Sequence, residues 1–336
     1  MTGAAGFICG YLVPELLQAG HLVIGLDNFS KYGPVAKSYD SDPNYRLVQG
    51  DAKDVDLLSQ LAVECDQIVA GAAMIGGISY FHEFAYDLLA ENERILAATF
   101  DAAIAACKGG RLQKINVLSS SMVFESATLF PTPEGAQLTS PTPVSTYGFQ
   151  KLASEYFAKG AWEQYHLPYT IIRPFNCVGI GERRARRDAD IMSGNIKLAM
   201  SHVVPDLVQK VLKGQDPLHI LGDGTQVRHY TYAGDLAKGI RLCMESPAAR
   251  NNDFNLSTAQ STTVTELAAL IWRKVHGDDR PFRLEHDPPF EHDVQMRVPD
   301  VRKAKRLLGF EAKTTLDQML DEVIPWIRAE IAAGRV

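Results

Sequence analysis

Tyr147 and Lys151 stand four residues apart in STYGFQK, inside a stretch with a helical pattern of apolar residues. On a helix that spacing puts both side chains on one face. A lysine ammonium beside a phenol favours the phenolate and draws its pKa down from the reference of ~10. A phenolate poised near neutrality can take the proton of an alcohol. An exposed helix pair is the plain alternative for a YxxxK stretch.

A second chemistry sits at the start of the chain. TGAAGF places Gly3 and Gly6 three apart at the head of an amphipathic segment, followed by Phe7 and Ile8. Glycine lets the backbone turn sharply and approach a pyrophosphate, toward which a helix N-terminus directs free N–H groups. Asp27 follows twenty-four residues after Gly3, at the end of VIGLD, with Asn28 next to it. A carboxylate there suits adenosine ribose hydroxyls and argues for NAD over NADP. An oxidised nicotinamide would accept hydride, and its positive charge would lower the Tyr147 pKa further.

The elements that must position these residues alternate regularly. HLVIGLDN (21–28), YRLVQGD (45–51), CDQIVAGAA (65–73), KINVLSSS (114–121) and PYTIIRPFN (168–176) read as buried strands. Helical segments run over 7–19, 54–64, 87–107 and 146–165. This alternation predicts an α/β fold, a Rossmann-like doubly wound parallel sheet with right-handed crossovers. Beyond about Gly179 the rhythm loosens. Helices are expected near 205–212, 264–276 and 316–332, and a strand at LHIL (218–221). The expected division is a dinucleotide-binding unit over 1–178, with a return segment near 225–245. A smaller mixed C-terminal lobe for the substrate takes 179–224 and 246–336. The glycine loop calls for a strand before it in the middle of the sheet, yet only Met1 and Thr2 precede Gly3. The expectation is that the numbered chain begins late relative to the natural start, with cofactor binding weakened if it does not. Cys9 stands where a third glycine would allow close helix–strand packing and reads as a buried packing thiol.

At KINVLSSSMVFE, STYGFQK and IIRPFNCVG the chain resembles the extended short-chain dehydrogenase/reductase family, and within it the nucleotide-sugar epimerases and dehydratases. The ordered resemblance runs from Gly3 to about Leu320. It implies Ser120, Tyr147 and Lys151 as the catalytic set, with Ser120 hydrogen-bonding the reacting hydroxyl. It implies Asp51 and Ala52 beside adenine, Ala72 and Ala73 beside the nicotinamide, and Asn92 on the cofactor side. Phe7 and Ile8 continue the glycine loop toward the pyrophosphate. Tyr147 and Lys151 also face the cofactor. Ser121, Asn176, Val204 with Pro205, Arg228 and Arg297 fall on the substrate side. The two arginines are expected on diphosphate oxygens, for which a guanidinium fork is suited. Ala70, His229 and Gly234 depart from the family pattern. Tyr80 and His82, in MIGGISYFHEF, could touch substrate.

The resemblance also bears on the reaction. Family dehydratases follow the catalytic hydroxyl with an Asp-Glu pair; here Ser121 and Met122 stand there. Decarboxylases use a glutamate at the place of Met122, and 3,5-epimerases a cysteine. Methionine neither donates nor accepts a proton, which leaves epimerisation, typically at carbon 4, with NAD regenerated each turn. The other readings are a dehydratase, a 3,5-epimerase or a decarboxylase with atypical acids, and a catalytically silent NAD-binding sensor.

Composition narrows the partners. The 336 residues are 46% hydrophobic and 22% charged, with a net charge of −6. No basic stripe stands out, so no nucleic-acid partner is expected. The local basic run GERRARRDAD (181–190) reads as a solvated loop or a contact for a phosphorylated ligand. No apolar stretch is long enough for a membrane span, and no signal-peptide pattern is present. Five scattered cysteines without CxxC, and nine histidines without ligand spacing, predict a reducing cytoplasm, no disulfide framework and no metal site. The expected substrate is a nucleotide-diphosphate sugar. Apolar faces on the 87–107 and 146–165 helices suggest a homodimer.

Overall fold

The computed structural model describes residues 1–76, 84–182, 191–193, 196–198, 202–289 and 294–336. The basic run over 183–190, and Tyr80 and His82, lie outside the described residues.

Parallel strands build the central sheet: β1 (Val23–Asp27), β2 (Tyr45–Gln49), β3 (Gln67–Ala70), β4 (Lys114–Leu118), β5 (Tyr169–Pro174) and β6 (Asn252–Leu256). One ladder pairs β2 with β1; the other runs β6, β5, β4, β3. Every residue of β4 is buried, as a strand covered on both faces requires. The helices are α1 (Phe7–Gln18), α2 (Val55–Ala62), α3 (Ala85–Lys108), α4 (Thr146–Tyr165), α5 (Val203–Leu212), α6 (Ala233–Glu245), α7 (Val264–His276), α8 (Arg302–Leu308) and α9 (Leu316–Ala332).

The chain's first two residues join the two ladders. Thr2 bridges Leu26 of β1 on one side and Ala70 of β3 on the other. Its N–H donates to Val69 O at 3.0 Å, and Leu26 N donates to Met1 O at 2.9 Å. The Thr2 hydroxyl also accepts from the N–H groups of Gly71 and Ala72, each at 3.1 Å. Met1 and Thr2 thus hold the central position the glycine loop requires. Beside them lies a cleft of about 30 Å³ lined by Ile24, Leu58, Cys65, Ile68 and Ala102 among others.

Helices cover both faces. On one face, Leu12, Val13 and Leu16 of α1 meet Leu236 and Ile240 of α6 over Val69, Leu118 and Ile172. On the other, Leu96 and Phe100 of α3 and Ala158 of α4 pack on Ile68, Ile115 and Ile171. The smaller lobe has its own core of Leu207, Val208, Leu267, Ile271, Trp272, Leu320 and Ile327. Its helices α7 and α9 begin at reciprocal capping boxes, Thr263 with Glu266 and Thr315 with Gln318.

Two elements depart from the sequence reading. β6 and α8 fall in the span assigned to the lobe, yet β6 extends the main sheet and Ala304 and Leu308 of α8 join its core. NDFNL looks like a turn because of its polar residues, and each of those has a partner here. Asp253 meets Arg173 and Lys303, and Asn255 bonds Glu134 and the carbonyls of Thr132 and Asp300.

Candidate active site

The N-terminus of α4 and the C-terminus of β4 bring the chemical residues together. Ser145 caps α4 by accepting from Gly148 N at 3.0 Å, which seats Tyr147 in the first turn. Gly148 permits the approach: a Cβ there would lie 2.8 Å from Met122 O and 2.7 Å from Pro143 Cβ. Ser120 ends the β4 segment and caps the short 3₁₀ turn Ser121–Phe124, its Oγ accepting from Met122 N at 3.2 Å. Ser120 is among the groups that pull the Tyr147 phenol's pKa down against burial. Tyr147, Lys151 and Ser121 are all buried, and Ser120 is at the edge of burial.

Lys151 lies one turn beyond Tyr147, as its spacing implies. Its ammonium donates to Leu118 O at 2.9 Å and stands 6.0 Å from the Tyr147 ring centre. Burial lowers its pKa to about 8. The expectation of a phenol pKa below the ordinary range is corrected here. Burial holds Tyr147 above the ordinary phenol range, and the opposing influences are Ser120 and the charge of Arg297.

A buried network the sequence reading did not single out braces this corner. Arg173 donates Nε and Nη2 to the two oxygens of Glu155, both at 2.7 Å, and Nη1 to Asp253 at 2.7 Å. Ser119, next to Ser120, donates its hydroxyl to Glu155 at 2.7 Å. Arg173 belongs to the RPFN stretch and Glu155 follows Lys151 by one turn, so both were visible as neighbours of motifs.

The glycine loop fits a dinucleotide. Gly3 has φ +71°, and a Cβ there would lie 2.8 Å from the backbone N and Cα of Ala72. Only glycine combines that conformation with that approach. Cys9 is buried against Gly71, where a Cβ would come 2.7 Å from its sulfur; burial lifts its pKa to about 12. The packing thiol therefore occupies the third-glycine position with a glycine opposite. Asp27 accepts from Ala5 N at 3.0 Å and Phe29 N at 2.8 Å, which fixes its carboxylate at the strand end beside the loop. Each oxygen retains acceptor capacity for a hydroxyl. Asn28 donates to Asp51 at 3.2 Å, so two residues expected at the adenosine end meet. Ala52 packs in a small cluster with Leu26 and Leu58, and Ala72 lies against it. Phe7 stacks edge-on to Tyr11 at 5.9 Å, while Ile8 packs on the main core. Asn92 binds the Met74 backbone with both amide atoms, at 2.6 and 2.9 Å, and so ties Met74 to α3.

On the opposite side, Asn176 has φ +33°, a left-handed conformation that asparagine tolerates better than most residues. It accepts from Arg297 Nη1 at 3.3 Å. Arg228 donates Nη1 to Val227 O at 3.0 Å and to Gln295 O at 3.4 Å. Val204 is buried in the core of the lobe, so only its backbone or its neighbours could face a ligand. His229 bonds Thr258 O at 3.0 Å, and burial lowers its pKa.

This geometry places a hydroxyl–phenol–ammonium group at the C-terminal edge of a parallel sheet, next to a pyrophosphate-compatible loop. The model of the NAD dependent epimerase/dehydratase family matches residues 1–257. The chain belongs to this family. The family is NAD-dependent, and the residues of the glycine loop fit NAD as the chain's dinucleotide. A UDP-glucose 4-epimerase from Mycolicibacterium smegmatis is 27% identical over 98% of this chain and 97% of its own length. A UDP-N-acetyl-alpha-D-glucosaminuronate decarboxylase from Bacillus cytotoxicus is likewise 27% identical, over 98% and 97%. The solved UDP-glucose 4-epimerase of Thermotoga maritima, with UDP-glucose, superposes with a TM-score of 0.79 at 28% identity, covering 98% of each chain. The fold of this chain is therefore the Rossmann-like one expected from strand–helix alternation. Among the described residues no helix is long and apolar enough to cross a membrane.

Proposed function

We propose that the chain is an NAD-dependent nucleotide-sugar epimerase, most naturally a 4-epimerase acting on a UDP-sugar. The observation that carries this reading is the surroundings of Tyr147. Its apolar neighbours are Leu88 and Met122, with Met74, Ile75, Phe84 and Val294 around them. Glu125, at the end of the 3₁₀ turn, is held by the N–H and hydroxyl of Ser145 at 2.9 and 2.8 Å. By the family resemblance, Met122 holds the place of the acid that serves water elimination or decarboxylation.

In this reading Tyr147 takes the proton of the sugar hydroxyl and returns it at the end of the turn. Ser120, at the end of the β4 segment, holds that hydroxyl in line. Lys151 anchors α4 to β4 through Leu118 and fixes the phenol's position. When bound, NAD supplies the acceptor and later the donor of the carbon-bound hydrogen. Asp27 grips the adenosine ribose, and the Asn28–Asp51 pair with Ala52 borders the adenine. Arg228 faces the diphosphate. The sheet unit, residues 1–178 with the return near 225–245, would hold NAD. The lobe, 179–224 and 246–336 apart from β6 and α8, would hold the nucleotide sugar. A homodimer through α3 and α4 accords with exposed Tyr86, Phe149 and Tyr156 on those helices. Five free cysteines accord with a cytoplasmic setting.

The test is incubation of the purified protein with UDP-, dTDP-, GDP- and CDP-sugars, followed by chromatography, mass spectrometry and NMR. A product of unchanged mass and inverted configuration is expected. Loss of water would establish a dehydratase, loss of carbon dioxide a decarboxylase, and retained NAD without turnover a sensor.

A further inference from the structure

Three aromatic rings run from the glycine loop to the lobe. Phe7, the first residue of α1, meets Tyr11 edge-on at 5.9 Å, and Tyr11 meets Tyr232 edge-on at 5.8 Å. The Tyr232 hydroxyl donates to Glu322 of α9 at 2.9 Å. Between these contacts the Tyr11 phenol oxygen accepts from the backbone N–H of Ile180 at 2.8 Å. Tyr11 thus joins the helix behind the glycine loop to the segment that leaves β5 through Asn176. That segment continues into Cys177–Val178, which pairs in parallel with Thr231–Tyr232. Asn176 O also accepts from Thr231 N at 3.1 Å.

Two glycines leave the room these rings occupy. A Cβ at Gly179 would lie 2.6 Å from the Tyr11 hydroxyl oxygen, and one at Gly234 would lie 2.5 Å from Cε1 of the Tyr232 ring. Gly234 is one of the positions that depart from the family pattern, and the approach of Tyr232 gives that departure a physical reason. A side chain at 179 would displace the phenol from Ile180. Ile180 is 42% exposed, so water can satisfy its N–H when the phenol oxygen is absent. The bond therefore adds little to stability; what it decides is where the 176–180 segment stands.

We propose that Tyr11 is a positioning residue for the nucleotide sugar: its phenol holds the Asn176–Ile180 segment, a rim of the proposed substrate site, against the helix that carries the dinucleotide loop. The inference rests on the reading of Asn176 as a substrate-side residue. It gives a substrate role to a residue of the cofactor helix, which neither the glycine spacing nor the alternation of strands and helices suggests. Tyr11→Phe keeps both ring contacts and loses only the oxygen, so a phenol that merely filled space could be replaced in this way without consequence.

The test is calorimetric titration of the NAD-loaded protein with UDP, dTDP, GDP and CDP, with NAD affinity and melting temperature measured alongside. Tyr11→Phe is expected to weaken whichever nucleotide the parent binds by about three- to tenfold, the worth of one hydrogen bond between neutral groups. NAD affinity and melting temperature should stay near the parent's. Ile180→Pro removes the same N–H from the other side and should weaken the nucleotide comparably; adding Tyr11→Phe to it should change nothing further. Parent-like nucleotide affinity in Tyr11→Phe overturns the inference, as does a loss matched by equal falls in NAD affinity and melting temperature. Additive losses in the double variant overturn it too; should Ile180→Pro fail to fold, Tyr11→Phe decides alone. A protein that shows these changes yet converts no sugar supports the inference while the epimerase reading fails. A parent that binds none of the four nucleotides overturns both. An active epimerase whose Tyr11→Phe variant binds nucleotide like the parent overturns the inference and leaves the function standing.

Discussion

The Lys151 ammonium donates to the Leu118 carbonyl at 2.9 Å, pinning the first turns of α4 to the end of β4. Through that bond the lysine sets where the Tyr147 phenol stands relative to Ser120. Burial of an ammonium has a thermodynamic consequence that can be measured apart from catalysis.

The folded-state pKa of Lys151, about 8, lies below the lysine reference of ~10.4. Between those values the unfolded chain binds more protons, so stability rises with pH across that window. Below it the buried charge is a standing cost. Lys151→Met removes that cost. Its melting temperature at pH 7 is expected to exceed the parent's by a few degrees, an advantage that shrinks as pH rises toward ten, while turnover is lost. Calorimetry across this range checks it. A lower melting temperature at pH 7 would mean that the Leu118 bond outweighs the cost of burying the charge.

The Arg173–Glu155 pair should behave oppositely. Both side chains are fully buried, and Arg173→Met would leave the Glu155 carboxylate without its principal partner. Removing one member of such a pair costs about 3–5 kcal/mol. Urea denaturation of Arg173→Met should show a loss of that order, and Arg173→Met with Glu155→Gln a smaller one. Since Ser119 donates to Glu155, activity should fall along with stability in the single variant. A loss under about 1 kcal/mol would contradict the buried-pair account.

Gly3→Ala separates backbone strain from cofactor contact. The added Cβ would press on the Ala72 backbone at 2.8 Å, and NAD affinity should fall by at least about tenfold. Gly20→Ala is the control. Gly20 has φ +86°, and nothing lies within 4 Å of its Cβ position, so strain there should lower stability without touching NAD affinity. Calorimetric titration with NAD reads both. Equal affinity losses in the two variants would remove Gly3 from the cofactor site.

Much of this was legible in the sequence because period and spacing report local geometry. Tyr147 and Lys151 share a face as their four-residue separation requires, and apolar runs such as KINVL are central strands. Three features escaped for identifiable reasons. β6 hides because Asp253 and Asn255 look like turn residues until their partners arrive from distant segments. The Lys151 ammonium also donates to Leu118 O, a partner that spacing on a helix does not encode. Arg297 meets Met122 across 175 residues of chain, and no local pattern announces that contact.

The most direct test of the account is the rate of Tyr147→Phe on whichever nucleotide sugar the parent converts. With folding and NAD retention matched to the parent, turnover followed by NMR should drop by about a hundredfold or more, the range for loss of a positioned proton acceptor. A Tyr147→Phe protein that inverts the sugar as fast as its parent would contradict the central claim that this phenol moves the proton.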